Sequence, residues 1–308
     1  MPIEITAVGG YGEVGKNMTA IKVDDEVVIL DMGIHLPNYI RHTEQEEGDV
    51  TRHSAKKLID VHAIPDPSLI DDWKKKVVAI LPGHAHLDHI GAIPYLAGRY
   101  NCPIYCTPFT SEVLKRILSD EKINIPNKIN SISLNGKVKL SPNISAEFIG
   151  ITHSTPHTAL IVLHTKYGAV LYCTDYKLDN SPILGRKPNY EKLRKLNAKV
   201  AILDSLYASK HGKTPSEFIA RELLREVMLG SDFKGKGMFV TTFSSHIARV
   251  KSIIEFGKKL NRKIVFLGRS LAKYSLSAAS AGIMTYDEIE IAKYGSQAQK
   301  ALKKVEKN

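Results

Sequence analysis

Four potential metal ligands fall within six residues of this sequence, in the stretch GHAHLDH. His84 and His86 are alternate residues, so both imidazoles can bind one ion from the same side, whereas Asp88 and His89 turn towards a second ion. Imidazole and carboxylate together form a ligand set that suits zinc or manganese. A chance group of core histidines is the alternative, but buried imidazoles without an ion would need other polar partners. The spacing therefore predicts a metal centre.

Two later segments offer further ligands, each directly after a predicted strand. His153 lies in GITHSTPHT, and Asp175 ends the run LYCTD, where its two oxygens could bridge two ions. Taken singly, a histidine at a strand end is commonly a surface residue, and an aspartate before a loop is commonly a turn residue. The order HxHxDH, then His, then Asp favours metal binding for both. A centre of this kind would activate water as the nucleophile, with Asp88, His89 and Asp175 as its catalytic residues.

Strands in the first half of the chain must position these residues. The run VVAIL before Pro82 and Gly83 predicts a buried strand that ends at the ligand cluster. Similar β-branched runs recur as far as GAVLYCTD and indicate two sheets. Later, strands and helices alternate in the segments VAILD, TPSEFIARELLREVML, GMFVTTF, SSHIARVKSIIEFGKKLN and RKIVFLG, which is typical of parallel α/β structure. We therefore expect two domains, residues 1–203 and 204–308.

A glycine-rich stretch near the start has the spacing of a dinucleotide-binding motif. GYGEVG places Gly10, Gly12 and Gly15 in the pattern GxGxxG. The residues that follow, NMTAIKVDDEVVILD, alternate as strand, turn and strand, so no helix N-terminus is available to bind a pyrophosphate. The interpretation that we favour is a tight turn that brings backbone close to the site, and no organic cofactor is expected.

Composition and charge narrow the class of protein. The 308 residues are 43% hydrophobic, enough for a full core, and no apolar run approaches the roughly 18 residues of a membrane span. The start MPIEITAVGG lacks signal-peptide features, and Cys102, Cys106 and Cys173 show no close pairing, so we expect a cytoplasmic chain with reduced core cysteines. The net charge of +11 and the pI near 9.3 fit a polyanionic partner, with lysine-rich solvated faces as the alternative.

Taken together, the motifs resemble the metallo-β-lactamase superfamily and, within it, the β-CASP group. LDSLYASKHGKTPSE and TTFSSHIARV are similar to the opening of a β-CASP domain, and GGYGEVGKNMTAI, HLDHIGAIPYLAGRY and THSTPHT are most similar to ribonuclease J of the archaeal type. The resemblance implies an α/β fold, an αββα metallo-β-lactamase sandwich with the start of an inserted parallel α/β β-CASP domain. It also implies two divalent ions, zinc or manganese, and RNA as the substrate, single-stranded with a 5′ end.

The resemblance also implies roles for individual residues. One ion would be bound by His84, His86 and His153, the other by Asp88 and His89, and both by Asp175. Asp31 matches a motif that supports the ligand loops through hydrogen bonds. Asp204 takes the place of the first acidic β-CASP motif and would lie near the second ion, with a strand-end cap as the alternative.

Contacts with RNA are expected where the helix of SSHIARVKSIIEFGKKLN begins. Free backbone amides at Ser244 and Ser245 could bind a phosphate, although an ordinary serine N-cap explains the same residues. His246 and Arg249 are candidate RNA contacts, with a solvated helix face as the alternative. For these four residues we expect a role in substrate binding and not in the hydrolysis itself.

The leading functional hypothesis is an enzyme that removes nucleotides from RNA 5′ ends, with endonucleolytic cleavage as a second mode. The sequence stops at Asn308 inside the β-CASP resemblance, and no segment after Gly295 matches the later histidine motifs of the family. We therefore expect a truncated chain or split-gene product that forms a homo-oligomer or needs a partner chain. A catalytically impaired RNA-binding or partner-dependent fragment is the main alternative. A small-molecule metallo-hydrolase is a third, which DSLYASKHGKTPSE disfavours.

Overall fold

The computed structural model describes residues 2–44 and 53–305. The chain divides into two compact units. Unit 1 comprises Met1–Gly150, His157–Tyr176 and Asn189–Lys210, and unit 2 comprises Ile151–Pro156, Lys177–Pro188 and His211–Asn308. The domain limits expected from the sequence, 1–203 and 204–308, remain a prediction. None of the helices within the described ranges has the length and apolar character that crossing a membrane requires.

Unit 1 contains two β-sheets. The strands of the first are β1 (Ile3–Gly9), β2 (Met18–Val23), β3 (Glu26–Leu30), β4 (Val77–Leu81), β5 (Ile104–Cys106) and β6 (Ile129–Ser131), which lie side by side in this order. The strands of the second are β7 (Lys137–Lys139), β8 (Ser145–Gly150), β9 (Ala159–Thr165), β10 (Gly168–Cys173) and β11 (Ala198–Leu203), also in sequence order. Pairing is parallel from β3 to β6 and between β10 and β11, and antiparallel elsewhere.

The core of unit 1 lies between these two sheets. Leu30 and Leu81 of the first sheet belong to the same buried cluster as Phe148 and Ile161 of the second. Successive side chains point to opposite faces of a sheet, so Ile29 points away from this core. Ile29 is nevertheless fully buried as well, so the first sheet is covered on both faces, as parallel strands require.

Helices complete the layers of unit 1. They are α1 (Leu36–Glu44), α2 (Ala55–Asp60), α3 (Leu87–Ile90), α4 (Ile93–Leu96), α5 (Pro108–Asp120) and α6 (Tyr190–Lys195), with 3-10 helices at Pro67–Lys76 and Ala97–Arg99. In α5, Pro108 occupies the first position, where its missing N–H costs nothing. Phe109, Val113 and Ile117, spaced by four residues, bury one side of this helix.

Unit 2 is built from helices around a small parallel strand pair. Its elements are α7 (Glu217–Leu229), α8 (Ile247–Lys259), β12 (Val265–Leu267), α9 (Arg269–Ser280), β13 (Glu290–Ala292) and α10 (Gly295–Val305). Val250 and Ile254 of α8 pack with Phe266 of β12 in a local core.

The strand predicted in VAILD is present as β11, which pairs with β10 in the second sheet of unit 1. Two details of the predicted alternation were wrong. The segment GMFVTTF is neither helix nor strand, because no described strand pairs with it and an unpaired strand leaves its backbone groups without partners. The helix predicted to begin at Ser244 and Ser245 begins at Ile247 and is capped by His246, whose ring accepts the N–H of Arg249.

A buried carboxylate joins α7 to α8. Arg249 donates to both oxygens of Glu217, at 2.7 and 2.9 Å, and His246 Nε2 lies 3.3 Å from the same group. Burial alone would raise the pKa of Glu217, but the hydrogen bonds from His246 and Arg249 lower it from 4.5 to about 2. The carboxylate is therefore charged at neutral pH.

We predict that Glu217→Gln lowers the free energy of unfolding by about 1.5–3 kcal/mol at neutral pH, the range for a hydrogen bond to a charged group. The folded pKa is depressed, so this stabilisation is fully present above about pH 5 and declines as the pH falls from 4.5 towards 2. Urea unfolding from pH 7 to pH 3 measures the difference. Glu222→Gln, in an exposed pair with Arg225, is the control. A deficit as large at pH 3 as at pH 7 would contradict the assignment.

Candidate metal centre

The predicted site residues of unit 1 follow the carboxyl ends of its strands. Asp31 comes directly after β3, His84 follows β4 after a Pro-Gly turn, and Asp175 comes two residues after β10. Because β3 and β4 are parallel neighbours, their carboxyl ends meet at one edge of the sheet. Asp88 and His89 lie in the short helix α3 that follows.

The first ligand group consists of two histidines and one carboxylate oxygen. Nε2 of His84 lies 3.0 Å from Nδ1 of His86 and 4.0 Å from Oδ2 of Asp175. The other ring nitrogen of His84, Nδ1, lies 2.8 Å from the hydroxyl of Thr174. That hydrogen bond orients the buried ring of His84 so that Nε2 faces the group, as the outer partners of metal-binding histidines do.

The second ligand group contains Asp88, His89 and the other oxygen of Asp175. Nε2 of His89 lies 3.4 Å from Oδ2 of Asp88 and 3.4 Å from Oδ1 of Asp175. The ligand atoms of this group all lie within 4.8 Å of one another. Asp175 therefore directs one oxygen towards each group, which is the arrangement that a bridging carboxylate needs.

The carboxylate of Asp31 fixes residues around the two ligand groups. It is fully buried and accepts three hydrogen bonds, from Gly83 N at 2.7 Å, His89 Nδ1 at 2.7 Å and the Tyr172 hydroxyl at 2.6 Å. A carboxylate can only accept, so Nδ1 of His89 carries a proton, and Nε2 is the nitrogen that has the lone pair when the ring is neutral. Asp31 itself adopts a left-handed backbone conformation, with φ of 58°.

Close backbone packing also fixes the turn that bears Asp88. A Cβ built on Gly33 would lie 1.5 Å from the carbonyl oxygen of Asp88, so only glycine fits there. Through this contact the loop after β3 lies directly against α3. The residues on either side of Gly33 also bond to α3. Met32 N donates to His89 O at 2.8 Å, and Ile34 N donates to Leu87 O at 3.0 Å.

The electrostatics of the second group favour a cation. Burial would raise the pKa of Asp88, but His89 and His86 lower it to about 2, so this carboxylate is ionised at neutral pH. Burial disfavours a charged His89 ring, yet Asp31 and Asp88 raise the pKa of His89 well above its ordinary value. The negative charges that stabilise a proton there would also stabilise a divalent ion, and imidazole with carboxylate suits zinc or manganese.

His153 belongs to the segment Ile151–Pro156 of unit 2. The residue before it, Thr152, is buried, donates to the carbonyl oxygen of Lys177 and accepts from the N–H of Asp179. These bonds fix the backbone beside His153. Its role as a ligand of the first ion remains a prediction.

The candidate RNA-contacting residues have varied surroundings. Asp204 lies in an exposed turn of unit 1, where its Oδ1 accepts the N–H of Leu206 at 2.8 Å. In unit 2, Ser244 and Ser245 are half-buried before the start of α8. The Arg249 guanidinium is engaged by Glu217, which gives it and His246 an intramolecular role that sequence reasoning missed. RNA binding by these residues remains untested.

Three residues of the centre were not predicted from the sequence. Thr174 and Tyr172 orient His84 and Asp31, and Asn17 lies beside Asp88 and His89. Thr174 and Tyr172 flank Cys173 in the strand end that delivers Asp175, so their proximity to a ligand was the available signal. Asn17 follows the glycine-rich turn, which indeed brings backbone to the site, since Asn17 N donates to Asp88 O at 3.1 Å.

Comparison with known proteins agrees with this geometry. The family model of the beta-lactamase superfamily domain matches residues 60–217, and that of the ribonuclease J beta-CASP domain matches residues 235–305. Ribonuclease J of Methanocaldococcus jannaschii is 43% identical, with 100% of this chain and 69% of the relative covered. Ribonuclease J of Pyrococcus abyssi is 41% identical, with 98% and 67% covered.

A solved structure supports the fold alone. A protein of unknown function from Enterococcus faecalis V583 superposes with a TM-score of 0.64 at 17% identity, covering 95% of this chain and 74% of the other. Fold and site thus define a member of the beta-lactamase superfamily with a β-CASP segment, as the motifs predicted. Within this class, the chain belongs to the ribonuclease J family.

We predict that Asp31→Ala weakens zinc binding by about 10–100-fold, because loss of an outer partner of a ligand has this typical cost. The substitution leaves His89 Nδ1, Gly83 N and the Tyr172 hydroxyl without their shared acceptor. Competition with a chromophoric chelator measures the affinity, and circular dichroism checks that the variant is folded. Tyr172→Phe, which removes one of the three bonds, should have a smaller effect. Unchanged affinity in a folded Asp31→Ala chain would refute the role of Asp31.

Proposed function

We propose that this chain is a metal-dependent ribonuclease that hydrolyses RNA phosphodiester bonds. The observation that carries the proposal is the placement of Asp175, whose two oxygens face two separate groups of ligand atoms. Membership of the ribonuclease J family supports RNA as the substrate, since the relatives from M. jannaschii and P. abyssi bear that name.

The proposed centre binds two divalent ions, zinc or manganese. The residues that would hold them are His84, His86 and His153 for the first ion, Asp88 and His89 for the second, and Asp175 for both. When bound, such ions supply Lewis acidity that lowers the pKa of water and neutralises charge on a phosphate. The donors of unit 1 support this assignment, because imidazole nitrogens of His84, His86 and His89 lie close to carboxylate oxygens of Asp88 and Asp175.

The residues of the chain contribute orientation and charge. Asp88 stays ionised at neutral pH, because His89 and His86 hold its pKa at about 2. Asp31 keeps the proton of His89 on Nδ1, and the Thr174 hydroxyl fixes the ring of His84, so both rings direct Nε2 to the ligand groups. Asp88, His89 and Asp175 are the proposed catalytic residues, and water is the proposed nucleophile.

The charge distribution supports a polyanionic substrate. Unit 2 carries 21 Lys and Arg residues against 10 Asp and Glu residues, a net charge of +11, whereas unit 1 carries 22 of each. The whole net charge therefore resides in the unit that contains the β-CASP match. Basic surface attracts the phosphate backbone of any sequence. The proposed substrate is single-stranded RNA, attacked from its 5′ end, with endonucleolytic cleavage as a second mode and Asp204 near the second ion.

A second candidate function is an RNA-binding chain that needs a partner or a second copy for activity. Unit 2 exposes several large apolar side chains, and monomeric soluble proteins rarely expose large apolar patches. Ile219, Leu223 and Val227 lie four residues apart along α7 and are exposed, and Phe239 and Phe243 are 81% and 83% exposed. The β-CASP match disfavours a small-molecule metallo-hydrolase as the function.

We predict that the purified chain with manganese or zinc releases labelled mononucleotide from RNA that bears a 5′ monophosphate. Asp88→Ala should reduce the rate by more than about 100-fold, because it removes a ligand outright and loss of an outer partner alone costs 10–100-fold. A chelator should abolish cleavage. Asp71→Ala, an aspartate in an exposed pair with Arg99, is the matched control and should leave the rate unchanged.

Two outcomes would count against the proposal. Equal cleavage by the unmutated and Asp88→Ala chains would point to a contaminating nuclease. Specific binding of RNA with no cleavage by any chain would favour the partner-dependent function, and gel filtration would then show whether a second copy is bound.

A further inference from the structure

The glycine-rich turn between β1 and β2 has a structural purpose that dinucleotide binding does not explain. Gly10, Gly12 and Gly15 all adopt left-handed backbone conformations, with φ of 87°, 83° and 110°. After this turn the backbone of Asn17 lies between two loops of the metal centre. Its N–H donates to Asp88 O at 3.1 Å, and its carbonyl oxygen accepts from Gly33 N at 3.0 Å.

The side chain of Asn17 also contacts Asp88. Its Nδ2 donates to the same Asp88 carbonyl oxygen at 3.0 Å. The same amide nitrogen lies 3.2 Å from His89 Nε2 and 3.5 Å from Asp88 Oδ2. These two atoms are the ones that Asp88 and His89 offer to the second ligand group.

Gly10 makes room for this arrangement. A Cβ built at that position would lie 2.5 Å from Oδ1 of Asn17 and 2.9 Å from its Cα. The amide is therefore packed with Oδ1 against Gly10 and with Nδ2 towards Asp88. The acceptor at Asp88 is a carbonyl oxygen, which can bond only to a donor, so the orientation of the amide is fixed by chemistry as well as by packing.

We propose that Asn17 is a positioning residue for the second ion, and that the glycine turn serves to place it. This inference rests on the two-ion centre of the proposed function. Besides its bond to the Asp88 carbonyl oxygen, Nδ2 is within hydrogen-bonding distance of both ligand atoms, His89 Nε2 and Asp88 Oδ2. By lying beside both atoms, the amide restricts the rotation of the Asp88 carboxylate and the His89 ring. Ligands that are already ordered lose less conformational entropy when the ion binds.

The test is a zinc titration of the full chain and its Asn17→Ala variant, with a competing chelator as the reporter. The Asp88→Ala chain identifies which binding step belongs to the second ligand group. We expect Asn17→Ala to weaken that step by about 10–100-fold, the usual cost of losing an outer partner, and to leave the first step unchanged. Tyr11→Phe is the matched control, because it removes a hydrogen bond between the same turn and Thr19 of β2 without touching a ligand.

A second variant separates hydrogen bonding from packing. Asn17→Leu fills a similar volume but cannot donate, so it should weaken the second step as Asn17→Ala does. Restored affinity in Asn17→Leu, or an unweakened second step in Asn17→Ala, would overturn the proposal. So would an equal loss at both steps together with a lower melting temperature in excess chelator, since that pattern indicates a general structural role.

The zinc readout is independent of RNA cleavage. If the unmutated chain binds two ions but cleaves no RNA, the proposed function fails. The zinc affinities of the Asn17 variants can still be compared with that of the unmutated chain. If the unmutated chain binds a single ion, the two-ion centre fails and the role of Asn17 fails with it. A selective loss at the second step supports the inference in either cleavage outcome.

Discussion

The structure of the metal centre depends on one buried charge, the carboxylate of Asp31. A buried carboxylate is costly unless hydrogen bonds replace its water, and here three donors do so. The donors come from the turn after β4, from α3 and from β10, so one group ties together both sheets and the ligand helix. The tautomer of His89 follows from the same bond, because Nδ1 must hold the proton that Asp31 accepts. The ligand geometry is therefore a consequence of satisfying Asp31.

Most of the predicted metal ligands lie in one unit of the chain, and the net positive charge lies in the other. Unit 1 holds five of the six predicted ligands and has no net charge, whereas unit 2 holds His153 and the entire net charge of +11. A basic unit attracts the phosphate backbone of a nucleic acid without reading its sequence. Family membership and this division of charge support the same substrate class.

Much of the fold and of the ligand set could be predicted because the relevant signals are local. The run VVAIL and the spacing of His84, His86, Asp88 and His89 lie within one short segment, and β4 formed as expected. Contacts set by tertiary packing were not accessible: Asn17 meets His89 across 72 residues, and Tyr172 meets Asp31 across 141. Tertiary pairing also decided against the strand in GMFVTTF, whose local pattern was favourable.

Anomalous scattering from crystals grown with manganese or zinc can show whether two ions bind on either side of Asp175. Two anomalous peaks are expected, one beside Nε2 of His84 and Nδ1 of His86, and one beside Nε2 of His89 and Oδ2 of Asp88. Asp175 should contribute one oxygen to each ion. A single peak, or ions bound away from these residues, would rule out the two-ion centre.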